Sequence, residues 1–221
     1  MAKVNAKASF KITSGDNVFH DAVSKQFLKS LYGKINSITG NVRPAVATII
    51  SDELMNSPTV LSLLGGTLKD DFGLASAEAK KAIAGIIDAL VDNFDIKVSP
   101  GSNQNIARLS IEILPSNFSL SGISAAGSYQ SRGGNVDWLE WLLTRGTQVI
   151  ISDYKIFDNA EGATRSGGRK VMIPIGKGGD PFRVDPSHAG TEASNFVTRA
   201  LEPVFPTIIQ LVAQQIKKVL E

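Results

Sequence analysis

Cysteine is missing from this chain and histidine nearly so: its 221 residues include no Cys and 2 His, His20 and His188. Without thiols there is no disulfide, no thiolate nucleophile and no zinc knuckle. Two histidines so far apart in sequence argue against a histidine-rich metal centre. A dominant charge is lacking too. Lys plus Arg number 23 and Asp plus Glu 21, a formal net charge of +2, too balanced to announce a nucleic-acid or membrane-surface protein by charge alone. Long apolar runs are also missing. No stretch holds the roughly 18 to 20 uninterrupted apolar residues of a membrane-crossing helix. The start of the chain has two early lysines with no apolar run behind them, which is not the pattern of a signal peptide. The expectation is a protein made in the cytoplasm, and kept there or released by lysis.

What is present is ordinary for a globular chain, with 43% hydrophobic residues and a mean hydropathy of +0.03. A disordered chain would carry fewer apolar residues. The length suits one large domain or two small ones. The reading is a single α+β domain over residues 1–221, with a helical section over about 17–94 and a sheet and terminal helix over about 95–221.

Over residues 20–38, Val23, Phe27, Leu31, Ile35 and Ile38 recur by threes and fours, which predicts an amphipathic helix. A second helix is predicted over 43–55, with Pro44 in its first turn and Val46, Ile49, Ile50 and Leu54 on its apolar side. Residues 58–64 read as a short helix stopped by Gly65 and Gly66, and 68–74 follow with Gly73 as punctuation. The strongest helix is predicted over 77–94, with Ala79, Ile83, Ile86, Ile87, Leu90, Val91 and Phe94 as a broad stripe and Glu78 in the first turn.

The period then changes. Strict alternation over 108–113 predicts a strand with Leu109, Ile111 and Ile113 on one face. Further strands are expected over 147–157 and 171–175, with a short fourth over 182–184, and residues 158–170 have the composition of a long hairpin tip. A short apolar helix over 136–143 carries Trp138 and Trp141. The tail from 193 to 221 reads as helical but broken near Pro203 and Pro206. Its longer second piece carries Ile208, Leu211, Val212, Ile216 and Val219. The fold class expected is α+β: N-terminal helices, a small mainly antiparallel sheet with a long hairpin loop, and a C-terminal helix packed on the sheet.

Chemistry is harder to find. Ser124, between Gly122 and Gly127, misses the spacing of a nucleophile elbow by one residue. Lys177, among Gly176, Gly178 and Gly179, lacks the Ser or Thr and the earlier glycine of a phosphate-binding loop. His188, near Asp185, Ser187 and Thr191, has no second histidine or carboxylate cluster to complete a metal or acid/base site. It reads as a turn leading into a helix. No base–nucleophile pair can be assembled, so the chain is read as not an enzyme, with no catalytic, cofactor-binding or metal-ligating residue and no cofactor.

Two sets of residues remain. Arg165, Arg169 and Lys170 surround a glycine-rich loop that can meet DNA phosphates, dock on an acidic partner or remain solvated. Trp138 and Trp141, three apart on one helical face, either pack in the core or anchor a subunit interface, where tryptophan is enriched.

From Asp137-Trp138-Leu139-Glu140-Trp141-Leu142-Leu143-Thr144-Arg145-Gly146 into Gln148-Val149-Ile150-Ile151, the chain resembles neck and tail-completion proteins of tailed bacteriophages. The likeness continues through Phe182-Arg183-Val184-Asp185-Pro186, runs over residues 189–201 and ends in the terminal helix. A weaker likeness covers Pro58-Thr59-Val60-Leu61 with Leu64-Gly65-Gly66-Thr67-Leu68 and Phe72-Gly73-Leu74. The resemblance implies a virion structural protein, a head–tail connector or tail terminator, that forms a homo-oligomeric ring in the neck or at the head-proximal end of the tail. It implies other neck and tail proteins as partners, DNA passing non-specifically through the lumen, no membrane, and neither cofactor nor turnover. Arg165, Arg169 and Lys170 are then the candidate lumen or partner contacts, and Trp138 and Trp141 the candidate subunit interface. A nucleic-acid-binding accessory protein using residues 165–170 is the alternative.

Overall fold

Where the periodicity predicts two N-terminal helices there is one, α1 (Asn17–Asn56), with Pro44 inside it. The buried stripe explains the merger. Leu31, Ile38, Val42, Val46, Ile50 and Leu54 follow one another at sevens and fours, and none is more than 3% exposed. Val42 bridges the gap between the two predicted stripes. Pro44 deprives the Gly40 carbonyl of its usual donor, but Gly40 and Pro44 both lie on the exposed side. Water can satisfy the freed carbonyl there, so the local preference for a break yields to packing.

This computed structural model describes residues 5–11, 17–100, 105–113, 127–131, 134–145, 154–158, 170–174, 183–191 and 193–220. The chain divides into two compact units, each assembled from separate stretches. Unit 1 takes Met1–Ala2, Ser51–Ala89 and Ser116–Leu201, and unit 2 takes Lys3–Ile50, Leu90–Pro115 and Glu202–Glu221. The fold class is α+β, as expected, with helices, antiparallel strands and a C-terminal helix. Among the described residues the strands form a three-stranded and two two-stranded antiparallel sheets.

In unit 2, β1 (Asn5–Lys11), β2 (Asp95–Pro100) and β3 (Asn105–Glu112) form a sheet of order β1-β3-β2. The alternation predicted for 108–113 holds, for Leu109, Ile111 and Ile113 are buried while Arg108 is exposed. Its two partner strands were not foreseen. At the β2 edge the Ile96 N–H is taken by the Asp95 carboxylate (2.9 Å). The Val98 carbonyl accepts from the Tyr32 hydroxyl (3.1 Å), and Pro100 has no N–H, so this edge is poorly suited to further pairing.

Helix α4 (Ser76–Asp92) ends in unit 2 under the guanidinium of Arg43. Arg43 donates to the carbonyls of Val91 (2.8 Å), Asp92 (3.2 Å) and Phe94 (3.1 Å). A cation thereby satisfies carbonyls that the helix leaves open, at the negative end of its dipole.

Unit 1 begins with α2 (Pro58–Gly65), whose N-cap Ser57 hydroxyl accepts from the Val60 N–H at 3.3 Å. After α3 (Thr67–Asp71) the chain reverses at Gly73, whose φ of 63° is open to glycine at no steric cost. The hairpin of β4 (Tyr129–Ser131) and β5 (Gly134–Val136) leads into α5 (Trp138–Thr144). The expected long hairpin is present as β6 (Tyr154–Asp158) paired with β7 (Lys170–Pro174), with Asp158 opposite Lys170. Of the strand expected over 147–157, residues 147–153 lie outside the described residues. The short strand expected over 182–184 does not form at Arg183 and Val184, which pair with no neighbour in a ladder.

The tail breaks where its prolines predict. Helix α6 (Phe196–Leu201) passes through a 3-10 turn, Glu202–Val204, into α7 (Phe205–Leu220). In unit 2, α7 lies against β1 and buries Ile208, Val212 and Ile216, while Leu211 and Val219 are half-buried. By length and composition the run Phe196–Leu220 is apolar enough to cross a membrane. Its exposed Gln210, Gln214, Lys217 and Lys218 give α7 a polar face opposite the buried one, the pattern of a helix laid on a core.

Candidate functional site

Two of the segments that carry the resemblance, those around residues 137–145 and 189–201, meet in unit 1 at Asn195. This residue precedes α6, and its side-chain oxygen accepts from the N–H groups of Val197 (3.1 Å) and Thr198 (3.1 Å), as an N-cap should. The Thr198 hydroxyl answers by accepting from the Asn195 N–H at 2.9 Å. The amide of Asn195 turns the other way and donates to the carbonyls of Leu143 (3.3 Å) and Thr191 (3.2 Å). Asn195 is buried, so the cap of α6 also closes the C-terminal turn of α5.

Neighbouring residues complete the joint. Arg145 and Thr191 form an isolated antiparallel bridge. Arg199 donates to the Ala189 carbonyl at 3.2 Å. Gly190 passes so close to the Leu142 carbonyl and to Asn195 that a Cβ there would overlap both. The ion pair between Arg145 and Glu140 (3.3 Å) is exposed on both sides, and such pairs add little.

Trp138 and Trp141 do not offer the anchor surface expected of a subunit interface. Their side chains are interior, 0% and 7% exposed, with ring centroids 6.3 and 6.1 Å from that of Phe72. The physical reason lies in α5 itself, since Leu139, Leu142 and Leu143 are also buried and a helix apolar on nearly every side is enclosed by its own unit. The indole Nε1 of Trp138 is buried without a hydrogen-bond partner, a cost that such enclosure has to overcome.

His188 occupies the turn expected of it. Its N–H and that of Ala189 both donate to the Asp185 carbonyl at 2.9 Å. Asp185, Ser187 and His188 share this turn, yet they are not wired as a hydrolytic triad. The Ser187 hydroxyl donates to the Asp185 carboxylate (2.6 Å), as does the Ser187 N–H (2.8 Å). His188 Nδ1 instead faces the Thr59 hydroxyl at 3.2 Å. A triad needs the histidine between serine and carboxylate, and here the serine bonds the carboxylate directly. The Ser187 hydroxyl, and after it the Ser187 N–H, hold the Asp185 carboxyl below the ordinary carboxylate range.

Of the basic set, Arg165 and Arg169 lie outside the described residues, and Lys170 opens β7 opposite Asp158. Ser124 and residues 176–179 also lie outside them, as does the side chain of His20. Among the described residues no group of three or more His, Asp or Glu side chains could hold a metal ion.

Asn195 and Gly190 were not singled out from the sequence. The signal for Asn195 was available, because Ser194 and Asn195 stand directly before the apolar start of α6. Nothing in the local sequence of Gly190 indicates the backbone that crosses it. In comparison with known proteins, the chain matches no family model, no curated protein and no solved structure.

Proposed function

We propose that this chain is a structural protein of a tailed-phage virion, forming a ring in the neck or at the head-proximal end of the tail. One observation carries the reading beyond the sequence likeness. Two stretches within residues 136–220, where the likeness is strongest, those around 137–146 and 189–201, are joined to one another through Asn195, Gly190 and the Arg145–Thr191 bridge. A pattern that coincides with one folded joint is better support than two unrelated strings.

In this role the protein binds its own copies and neighbouring neck or tail proteins, holds no cofactor and turns over no substrate. A closed ring needs a heterologous interface, in which one patch meets a different patch on the next copy and the rotation closes. Because Trp138 and Trp141 are enclosed within unit 1, that interface uses other residues.

The experiment is direct. Virions of the phage that encodes this chain, purified and imaged by cryo-electron microscopy with the protein tagged, should show several copies related by rotation about the tail axis. Virions that lack the protein, or hold a single copy off that axis, exclude the reading. Monomers in dilute solution are compatible with it, since a neighbouring ring can template closure.

A further inference from the structure

Three large apolar side chains are exposed among the described residues, Tyr32 (48%), Met55 (38%) and Leu61 (55%). Each stands beside charge of one sign. From Ala22 to Ser51 helix α1 carries Lys25, Lys29, Lys34 and Arg43 and no acid, and its next two residues are Asp52 and Glu53. Tyr32 therefore lies in a basic stretch, and Met55 and Leu61 lie at an acidic corner.

In unit 2, two of the four cations are spent on backbone. Arg43 holds the end of α4, and Lys34 donates to the Val219 carbonyl at 2.6 Å. Lys25 and Lys29 remain. With Tyr32 and Asn36 they recur at four, three and four, which sets all four residues on one exposed face of α1. The Tyr32 hydroxyl is fixed on the Val98 carbonyl at 3.1 Å, so little ordering of this side chain is left for a partner to impose. In unit 1, α1 gives way to α2 at Ser57, whose N–H donates to the Leu54 carbonyl at 3.1 Å. Exposed Asp52 and Met55, three apart on α1, and exposed Pro58 and Leu61, three apart on α2, stand on either side of that turn, with half-buried Glu53 following Asp52. No ion pair among the described residues engages Lys25, Lys29, Asp52 or Glu53.

We propose that these two patches recognise each other between copies of this chain, the acidic corner of one copy docking on the basic stripe of the next. The patches are opposite in sign, and each offers an exposed apolar centre with charge at its margin, as protein interfaces do. Tyrosine and methionine are enriched in such interfaces. Tyr32 and Met55 lie roughly six turns apart on one continuous helix, so they cannot meet within a copy. Salt screens exposed charges held that far apart, and the complementarity is satisfied only by a second molecule. A contact between two different patches is heterologous, and repeated from copy to copy it closes a ring or extends a filament. The choice of a second copy rests on the charges and exposed side chains of this chain, independently of the virion reading.

The test is the molar mass of the purified full chain by light scattering, from about 10 μM to about 1 mM, at low salt and at about 1 M salt. Mass should rise with concentration above that of the monomer, and less steeply in high salt. Two charge-reversed variants, Lys25→Glu with Lys29→Glu and Asp52→Lys with Glu53→Lys, each set like charges together and should raise the dissociation constant at least about tenfold. Mixing the two in equal amounts should restore association, since each keeps the patch that the other has reversed. Leu61→Ser, at an exposed position, should weaken association without lowering the melting temperature, and melts of the other variants verify that they fold. Four results overturn the proposal: a monomer at the highest concentration, association unchanged by salt or in a folded variant, no recovery on mixing, or a monomeric chain that captures poly-lysine or poly-glutamate, which would assign the patches to other partners. Virions are assayed separately and a neighbouring ring can template closure there, so failure here is distinguishable from failure of the ring reading.

Discussion

The side-chain amide of Asn195 donates to the carbonyl of Leu143 at 3.3 Å, across 52 positions of sequence. One residue therefore starts α6 and finishes α5. The bond is buried, where leaving either partner unpaired costs far more than it would in water.

Asn195→Ala should destabilise the protein by about 2 to 4 kcal/mol, the sum of a lost N-cap and an unpaired buried carbonyl. Asn195→Asp keeps acceptors for Val197 and Thr198 but sets a carboxylate oxygen against the Leu143 and Thr191 carbonyls in a buried place, so it too should destabilise the protein. Denaturant melts of the two variants measure both losses. A loss below about 0.5 kcal/mol in the alanine variant would mean that the joint does not hold α5 to α6.

Glycine positions supply an internal contrast. Alanine at Gly190 would overlap the Leu142 carbonyl and Asn195, whereas alanine at Gly85 within α4 meets nothing within 4 Å. Gly190→Ala should lower the melting temperature. Gly85→Ala should raise stability by about 0.5 to 1 kcal/mol, because the unfolded chain loses freedom and helix propensity rises. The opposite order in a thermal melt would contradict the tight passage at Gly190.

On α7, Val212 is 2% exposed and Leu211 is half-buried. A carboxylate at Val212 would be left unpaired and dry, so Val212→Asp should cost several kcal/mol and lower soluble yield. Leu211→Asp can turn its charge toward water and should cost only about 1 kcal/mol. Equal losses from the two would show that the buried face of α7 is broader than the stripe at Ile208, Val212 and Ile216.

Asp185 makes a prediction about acid. Its folded carboxyl titrates below the ordinary range, with the Ser187 hydroxyl as the main cause. A depressed value stabilises the fold at pH above the unfolded carboxyl's titration and loses that contribution as pH falls through the folded one. Ser187→Ala should therefore move the Asp185 titration upward, toward the ordinary range. Carbon-detected NMR of the Asp185 carboxyl across an acid series measures this, and an unmoved midpoint would assign the depression to the backbone N–H instead. The group is fully exposed, so the melting temperature should barely change.

Much of this fold was legible where structure is written in local period. The stripe of α4, the alternation at Leu109, Ile111 and Ile113, the break at Pro203, and the pairing of β6 with β7 all follow from patterns local in the sequence. Local rules erred at Pro44, where a predicted helix start lies inside α1. A proline is penalised for the carbonyl that it orphans, and the penalty shrinks when that carbonyl faces water.

Tertiary structure decided the rest. Strands β1 and β2 have weak patterns of their own, and pairing on both sides of β3 makes them strands. The two readings of Trp138 and Trp141 are the same in sequence. The choice of core over interface falls to Phe72 and to a helix buried on nearly all sides. Asn195 could be foreseen as a cap but not as the donor to Leu143, because the cap lies within three residues and the carbonyl lies 52 positions away. Periodicity and capping are properties of neighbours along the chain. Burial, register and the partner of a polar atom are properties of neighbours in space, and they exist only once the chain has folded.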